Sequence, residues 1–332
     1  MPGAALYGAY MRLGYACLTL GMSDPKMRAA QRGRWQRGLV DLAPIYAYNV
    51  EYARRSMAYA VEHGLMAYRI SSDILPLLDC DLGLRKLVPS LAPLRRTLQD
   101  TGIHVSNHPG QFAVLSTPHP HMLDNSLGVL RDAGWIMQRI GATGSITIHG
   151  GGVYDDRSAA AKRLTANMRR VSRSARRLLV LENDEHCWTV PELLDATGGD
   201  IPIVFDKLHW QANPRSASLE VELASALATW PPERIPELHY SEQAPGKARG
   251  AHAMHVTGKG LLLFLEEIAE ASRGREAVVI IEAKRKDLAI ARAVGELGGA
   301  NYRRLLALVP DLARAPRDWA RRSAQIESRL AA

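Results

Sequence analysis

A (β/α)₈ barrel of the TIM class with a C-terminal helical extension is the fold these 332 residues predict. Three observations predict it. Eight short apolar segments recur along the chain, helical patterns separate them, and the length holds a barrel of roughly 250 residues with additions.

Segment 11–17 opens the series, and 66–70, 103–107, 145–149, 178–182, 201–206, 235–239 and 278–282 follow. Most are apolar throughout, as expected of strands covered on both faces of a parallel sheet. Between the first two, 35–63 places Leu39, Leu42, Ala43, Tyr46, Val50 and Ala53 at spacings of three and four, one stripe of a helix. Pro44 lies inside that stretch, so it is kinked there or is two helices. Gly64 ends it as a C′ glycine. Helices over 91–99 and 126–140 stop near Gly102 and at Gly141, and 167–177, 218–229 and 260–272 complete the alternation. Beyond about Leu288 the pattern is helical only. There Arg303, Arg304, Arg314, Arg317, Arg321, Arg322 and Arg329 face only Asp311, Asp318 and Glu327. Such a tail is expected to pack on the barrel with a solvated basic face, a DNA-contacting arm being the other option. The expected division is a barrel over 1–290 and a basic helical extension over 291–332. No solenoid period and no low-complexity linker is visible.

Hydrophobic residues make up 47% and charged residues 23%, the profile of a soluble globular chain. No apolar run reaches the roughly 18 residues of a membrane span. The first residues lack a basic region before an apolar core, so no secretion signal is expected. Cys17, Cys80 and Cys187 are odd in number, widely spaced and outside any CxxC, which argues against a disulfide framework or zinc–thiolate site and fits a cytoplasmic location. A net charge of +8 suits a polyanionic partner, because each phosphate neutralised by Lys or Arg releases a counterion. Ordinary solubility charge would give the same excess.

The chemistry shows in where polar residues fall. Segment three runs into Asn107-His108-Pro109-Gly110-Gln111 and segment four into His149-Gly150-Gly151-Gly152. Segment five ends at Glu182, six at Asp206 with His209 beyond it, seven at Glu237-Leu238-His239 with His252 in the next loop, and eight at Glu282. Six successive strands thus deliver a His, Asp or Glu to the C-terminal end, where a barrel of this class carries its chemistry. One such histidine is usually a hydrogen-bonded structural residue, and one such carboxylate is usually paired with an Arg. Together, Glu182, Asp206, Glu237 and Glu282 with His108, His149, His209, His239 and His252 crowd one mouth. Their mutual repulsion and lost hydration are relieved by two or three divalent cations. Imidazole and carboxylate ligands without thiolate suit Mn²⁺, Fe²⁺, Co²⁺ or Zn²⁺ rather than Ca²⁺.

Other motifs fail. His149-Gly150-Gly151-Gly152 looks like an esterase oxyanion element, but no Gly-x-Ser-x-Gly elbow exists. Those glycines could instead admit a phosphate or metal close to the backbone. Neither a GxGxxG after the first strand nor a Walker A loop is present, so no nucleotide cofactor is expected.

With these motifs in place, the chain resembles the UV damage endonucleases over about residues 12–286. The resemblance rests on Arg12-Leu13-Gly14-Tyr15, Tyr68-Arg69-Ile70-Ser71-Ser72-Asp73, His108-Pro109-Gly110-Gln111-Phe112 and His149-Gly150-Gly151. It continues through Leu181-Glu182-Asn183-Asp184, Asp206 with His209, His239-Tyr240-Ser241, Gly250-Ala251-His252-Ala253 and Glu282-Ala283-Lys284. It implies a barrel nuclease that nicks damaged double-stranded DNA 5′ to photoproducts, with three divalent metals, often Mn²⁺. The implied ligands are His108, His149, Glu182, Asp206, His209, His239, His252 and Glu282. Gln111 and Phe112 match a Gln-Tyr pair that wedges into the duplex, Phe keeping the stacking face without the hydroxyl. Tyr15 matches a tyrosine near the lesion. One departure stands out: the family usually has a carboxylated lysine where this chain has Glu237, which is already a carboxylate but is several atoms shorter.

The expected mechanism is phosphodiester hydrolysis, one metal activating water and a second stabilising the leaving 3′ oxygen. Damaged nucleotides are extruded where pairing is weak, so helix deformability is read more than base edges. A monomer acting at the nucleoid is expected. Two other readings share the mouth: a xylose-isomerase-like sugar isomerase or epimerase, and a lesion-binding protein that does not cut.

Overall fold

The computed structural model describes residues 10–110 and 113–331. Eight parallel strands close on themselves in chain order: β1 (Met11–Ala16), β2 (Ala67–Ile70), β3 (His104–Asn107), β4 (Ile146–His149), β5 (Leu179–Glu182), β6 (Ile203–Asp206), β7 (Glu237–Tyr240) and β8 (Ala277–Ile281). Each overlaps its sequence-predicted segment. The seam between β1 and β8 runs in register from Met11 opposite Ala277 to Tyr15 opposite Ile281.

Period-2 alternation sorts the strand residues between two environments. Met11, Leu13, Tyr15, Tyr68, Val279 and Ile281 join the main core between barrel and helices. Ala16, Ala67, Val278 and Ile280 form a separate small cluster inside the barrel, where the space tapers. Glu182, Asp206, His239 and Glu282 occupy the inward parity at or beside the C-terminal strand ends.

The helices correct several boundaries. The stretch 35–63 is two helices, α1 (Arg32–Gln36) and α2 (Ala43–Glu62), with Pro44 in the first turn of α2, where its missing N–H costs nothing. At its end Gly64 has φ +70°, and a side chain there would run into the Asp311 carbonyl. α3 (Ala92–Thr101) and α4 (Pro120–Ile140) end at the predicted glycines, and α4 starts earlier than its apolar stripe because Pro120 opens it. The expected helix over 167–177 is not continuous: α5 (Arg157–Met168) is followed by the short α6 (Arg173–Arg176). The Asp156 side chain caps α5 by accepting from Ala159 N–H at 2.9 Å.

α7 (Val190–Thr197) and α8 (Lys207–Ala212) have too few turns to set up a stripe, and periodicity missed both. α9 (Leu219–Ala228) and α10 (Gly258–Ala271) lie close to prediction. α11 (Lys286–Glu296), α12 (Gly299–Leu308) and α13 (Trp319–Ala331) form the helical end. Trp319 and Ser323 of α13 are buried, and the Arg321 and Arg322 side chains are 69% and 67% exposed. The tail therefore lies on the barrel. No helix among the described residues is long and apolar enough to cross a membrane. Cys17, Cys80 and Cys187 are free thiols.

Candidate metal centre

Glu182 ends β5 and is fully buried. Its two oxygens face opposite ways: Oε2 lies 2.9 Å from His108 Nε2, and Oε1 lies 2.8 Å from His239 Nδ1. Two sets of potential ligand atoms therefore share it. One is His108, His149 and Glu182; the other is Glu182, Asp206, His239 and Glu282; within each set the atoms lie within 4.8 Å of one another. Register brings these residues together, since His149 pairs with Glu182 and Asp206 with His239 on neighbouring strands.

His209 and His252 stand at the edge. His209 Nδ1 is 3.6 Å from Glu182 Oε1 and 3.7 Å from Asp206 Oδ1, and His252 Nδ1 is 3.6 Å from Glu282 Oε2. His209 sits on α8, whose N-cap is Asp206: Asp206 Oδ1 accepts the His209 N–H at 2.7 Å. The spacing Asp-Lys-Leu-His is thus also a cap-to-N3 spacing, a signal of α8 that apolar periodicity does not carry.

Burial would raise the Glu182 carboxyl, but His239, His149 and His108 outweigh it and hold it well below the ordinary carboxylate range. Burial likewise opposes ionisation of Glu282, which Arg69 and His239 hold down. Burial and the charges of Glu182 and Glu282 push Asp206 up, against His209. Burial opposes a charge on His209, yet Asp206, Glu182 and Glu282 outweigh it and raise the imidazole to about 9. His239 is raised well above its usual value in the same way, against burial and chiefly by Glu182 and Glu282. His149, by contrast, is lowered to about 4 by burial.

Glu237 is inward-facing and fully buried, but it belongs to neither set. It lies two positions before His239, about 6–7 Å further down the strand toward the N-terminal end of the barrel. Its carboxylate lies behind the His239 ring: Oε1 is 3.2 Å from His239 Nε2, and Oε2 accepts from Ser145 Oγ at 2.8 Å and sits 3.5 Å from His104 Nε2.

Tyr15 has the outward parity. Its side chain is buried, with the hydroxyl 2.8 Å from Thr19 Oγ1 and donating to the Ser56 carbonyl at 3.3 Å, so it is not presented at the mouth for a lesion. Gln111 and Phe112 lie outside the described residues. The glycines after His149 serve packing: a Cβ on Gly150 would sit 2.5 Å from the Trp188 ring, whose Nε1 donates to the Gly151 carbonyl at 2.6 Å.

Sequence reasoning missed three supports. Arg69 on β2 is half-buried and paired directly with Glu282. Asn183 clamps β5 to β6, donating to the Asp206 carbonyl at 3.0 Å and accepting the Asp206 N–H at 2.8 Å. His104 and Ser145 surround Glu237. A polar residue within an otherwise apolar strand segment was the available signal for Arg69, His104 and Ser145.

The family model for UV-endonuclease UvdE matches residues 11–309. The UV DNA damage endonuclease of Bacillus cereus (strain Q1) is 30% identical over 257 residues, 75% of this chain and 80% of the relative. That of Clostridium perfringens (strain 13 / Type A) is 26% identical over 301 residues, 88% and 72% of the two chains. Among solved structures, the crystal structure of SacUVDE superposes with a TM-score of 0.75 at 24% identity over 87% of this chain and 100% of that one. Endonuclease IV from Thermus thermophilus gives 0.53 at 17% identity over 92% and 100%. At those identities the superpositions speak for the fold, whereas the family match spans nearly the whole barrel: the chain belongs to the UV-endonuclease UvdE family.

Proposed function

We propose that this chain is a metal-dependent endonuclease that nicks damaged duplex DNA on the 5′ side of UV photoproducts. The observation that carries the metal reading is Glu182, one buried carboxylate facing two ligand sets with separate oxygens. The donors fit divalent cations: imidazole and carboxylate without thiolate suit Mn²⁺, and Mg²⁺, Co²⁺, Zn²⁺ or Fe²⁺ are the alternatives. Two buried polar atoms, Asp206 Oδ2 and His149 Nδ1, have no hydrogen-bond partner among the described residues, as expected of groups that await a ligand.

His108, His149 and Glu182 would hold one ion, and Glu182, Asp206, His239 and Glu282 a second, with His209 and His252 within reach of either or of a third. Ions bound there would supply Lewis-acid stabilisation of the phosphate and activation of a hydrolytic water. The chain's own residues fix the set in advance. Arg69 holds the Glu282 carboxylate, Asn183 fixes the Asp206 backbone, and Glu237 orients the His239 ring by taking the hydrogen bond at its far nitrogen. Gln111 and Phe112 are the residues proposed to wedge into the duplex. The same reading puts the work at cytoplasmic DNA, by a monomer.

The test is nicking of irradiated against unirradiated supercoiled plasmid with Mn²⁺, with and without chelator. Nicking confined to irradiated plasmid, lost on chelation and absent in Glu182→Gln, is the expected result. Equal nicking of both plasmids, or none with any of the named metals, would sink the proposal.

A further inference from the structure

On the reading that this chain cuts DNA, we infer that residues 25–40 form a shelf that carries the phosphate backbone of the duplex beside the cleavage site. This segment lies in the connection from β1 to α2. It contains Lys26, Arg28, Arg32, Arg34 and Arg37 and no acidic residue, so sixteen positions carry five positive charges in a chain whose net charge is +8. All five side chains are exposed, and none enters an ion pair among the described residues. Four of the seven tail arginines differ, Arg304 being paired with Glu266. Arg314 is paired with Asp311 at 3.2 Å, and Arg321 and Arg322 share Asp318 at 3.1 and 2.6 Å.

Position supports the assignment. β1 is parallel to every other strand, so its connection leaves from the rim that bears Glu182, Asp206, His239 and Glu282. It leaves beside Glu282 itself. Cys17 N–H donates to the carbonyl of Arg69, whose guanidinium holds Glu282, and Leu20 and Gly21 N–H donate to Asp287 at 2.7 and 2.9 Å. A duplex that reaches the metal set must pass over this rim, and an acidic protein or a membrane has no such requirement.

The start of the segment is also held in place. Thr19 N–H donates to the Tyr52 hydroxyl at 2.8 Å, and that hydroxyl donates to the Pro25 carbonyl at 3.2 Å. Asn49 takes the Arg28 N–H at 2.8 Å and gives a bond to its carbonyl at 2.9 Å, while the Arg28 guanidinium lies 4.1 Å over the Tyr48 ring. Side chains of α2 and α11 thus anchor the start of a segment in which Lys26, Arg32, Arg34 and Arg37 make no ion pair among the described residues. Charge for solubility alone would need no such anchoring. Cations of this kind position a duplex without reading sequence, and each phosphate they neutralise releases counterions.

The experiment measures binding of damaged and undamaged duplex across a salt series for the full chain and for K26A/R32A/R34A/R37A. Arg28 is left in place because it ties the segment to α2. The slope of log affinity against log salt should become shallower by about 0.9 for each phosphate left without its cation, about 2–4 in total. Both duplexes should weaken by the same factor, while bound metal stays unchanged. An unchanged slope overturns the inference, as does weakening confined to damaged duplex, which would make the segment a lesion reader. An equal change in R314A/R321A/R322A would reduce the effect to net charge and overturns it as well. A wild-type chain that binds neither duplex overturns the endonuclease reading itself.

Discussion

His209 and His239 hold protons in the metal-free chain, and metal ligation needs neutral imidazole, so ion binding must release protons. Metal affinity should therefore rise with pH up to about 9, the value to which His209 is raised. The sign for stability is opposite. A folded-state pKa above the usual 6.5 stabilises fully below 6.5, and that contribution is lost as pH rises through about 9. The melting midpoint of chelated protein should accordingly fall across that window; a flat or rising midpoint would remove His209 from the account. Glu237 permits a second test. If it orients His239 rather than binding an ion, Glu237→Gln should lower metal affinity by about 10–100-fold, the usual effect of losing a ligand's hydrogen-bond partner, and leave nicking recoverable at high Mn²⁺. Nicking that excess metal cannot restore would instead make it a direct ligand. Residues of this kind show how far sequence reaches. Strand ends bring His108, His149, Glu182, Asp206, His239 and Glu282 to one mouth, a grouping legible because ionisable residues stand out at the ends of apolar strands. Tyr15 shows what a motif match lacks: it carries no parity, and parity sends this ring outward against α2.

At the scale of elements, the barrel strands were legible from apolar runs, and the long helices from stripes and glycine stops. Short helices were not. α7 and α8 are set by caps, Thr189 with Glu192 and Asp206 with His209 N–H, and a cap needs three or four residues to act where a stripe needs three turns. The β4 exit was misread for a related reason: Gly150 can admit a ligand or a neighbour, and only the structure shows Trp188 occupying the space. Gly150→Ala is expected to force the indole aside and cost about 1–3 kcal/mol of stability, as overpacking in a filled core does. Since His149 immediately precedes it, metal affinity should fall as well. Wild-type denaturant midpoint and metal affinity in that variant would show that the ring yields freely.

For the whole molecule, closure of the barrel is what sequence could only suggest, since eight strands with helices between them also suit an open sheet. The register between β1 and β8 supplies closure, and it joins residues from opposite ends of the barrel. That seam has a consequence during biosynthesis. β2 and its successors meet partners in the order they leave the ribosome, but the other edge of β1 has none until Ala277 and its neighbours emerge. At about 5–20 residues per second this interval is roughly 15–50 s. Throughout it, apolar Met11, Leu13 and Tyr15 lie on a strand with one bare edge, a template for pairing with another nascent chain. The cell's chaperones thus face their greatest demand from this chain before its last strand is made, and heat or crowded synthesis should cost yield at that stage rather than after folding is complete.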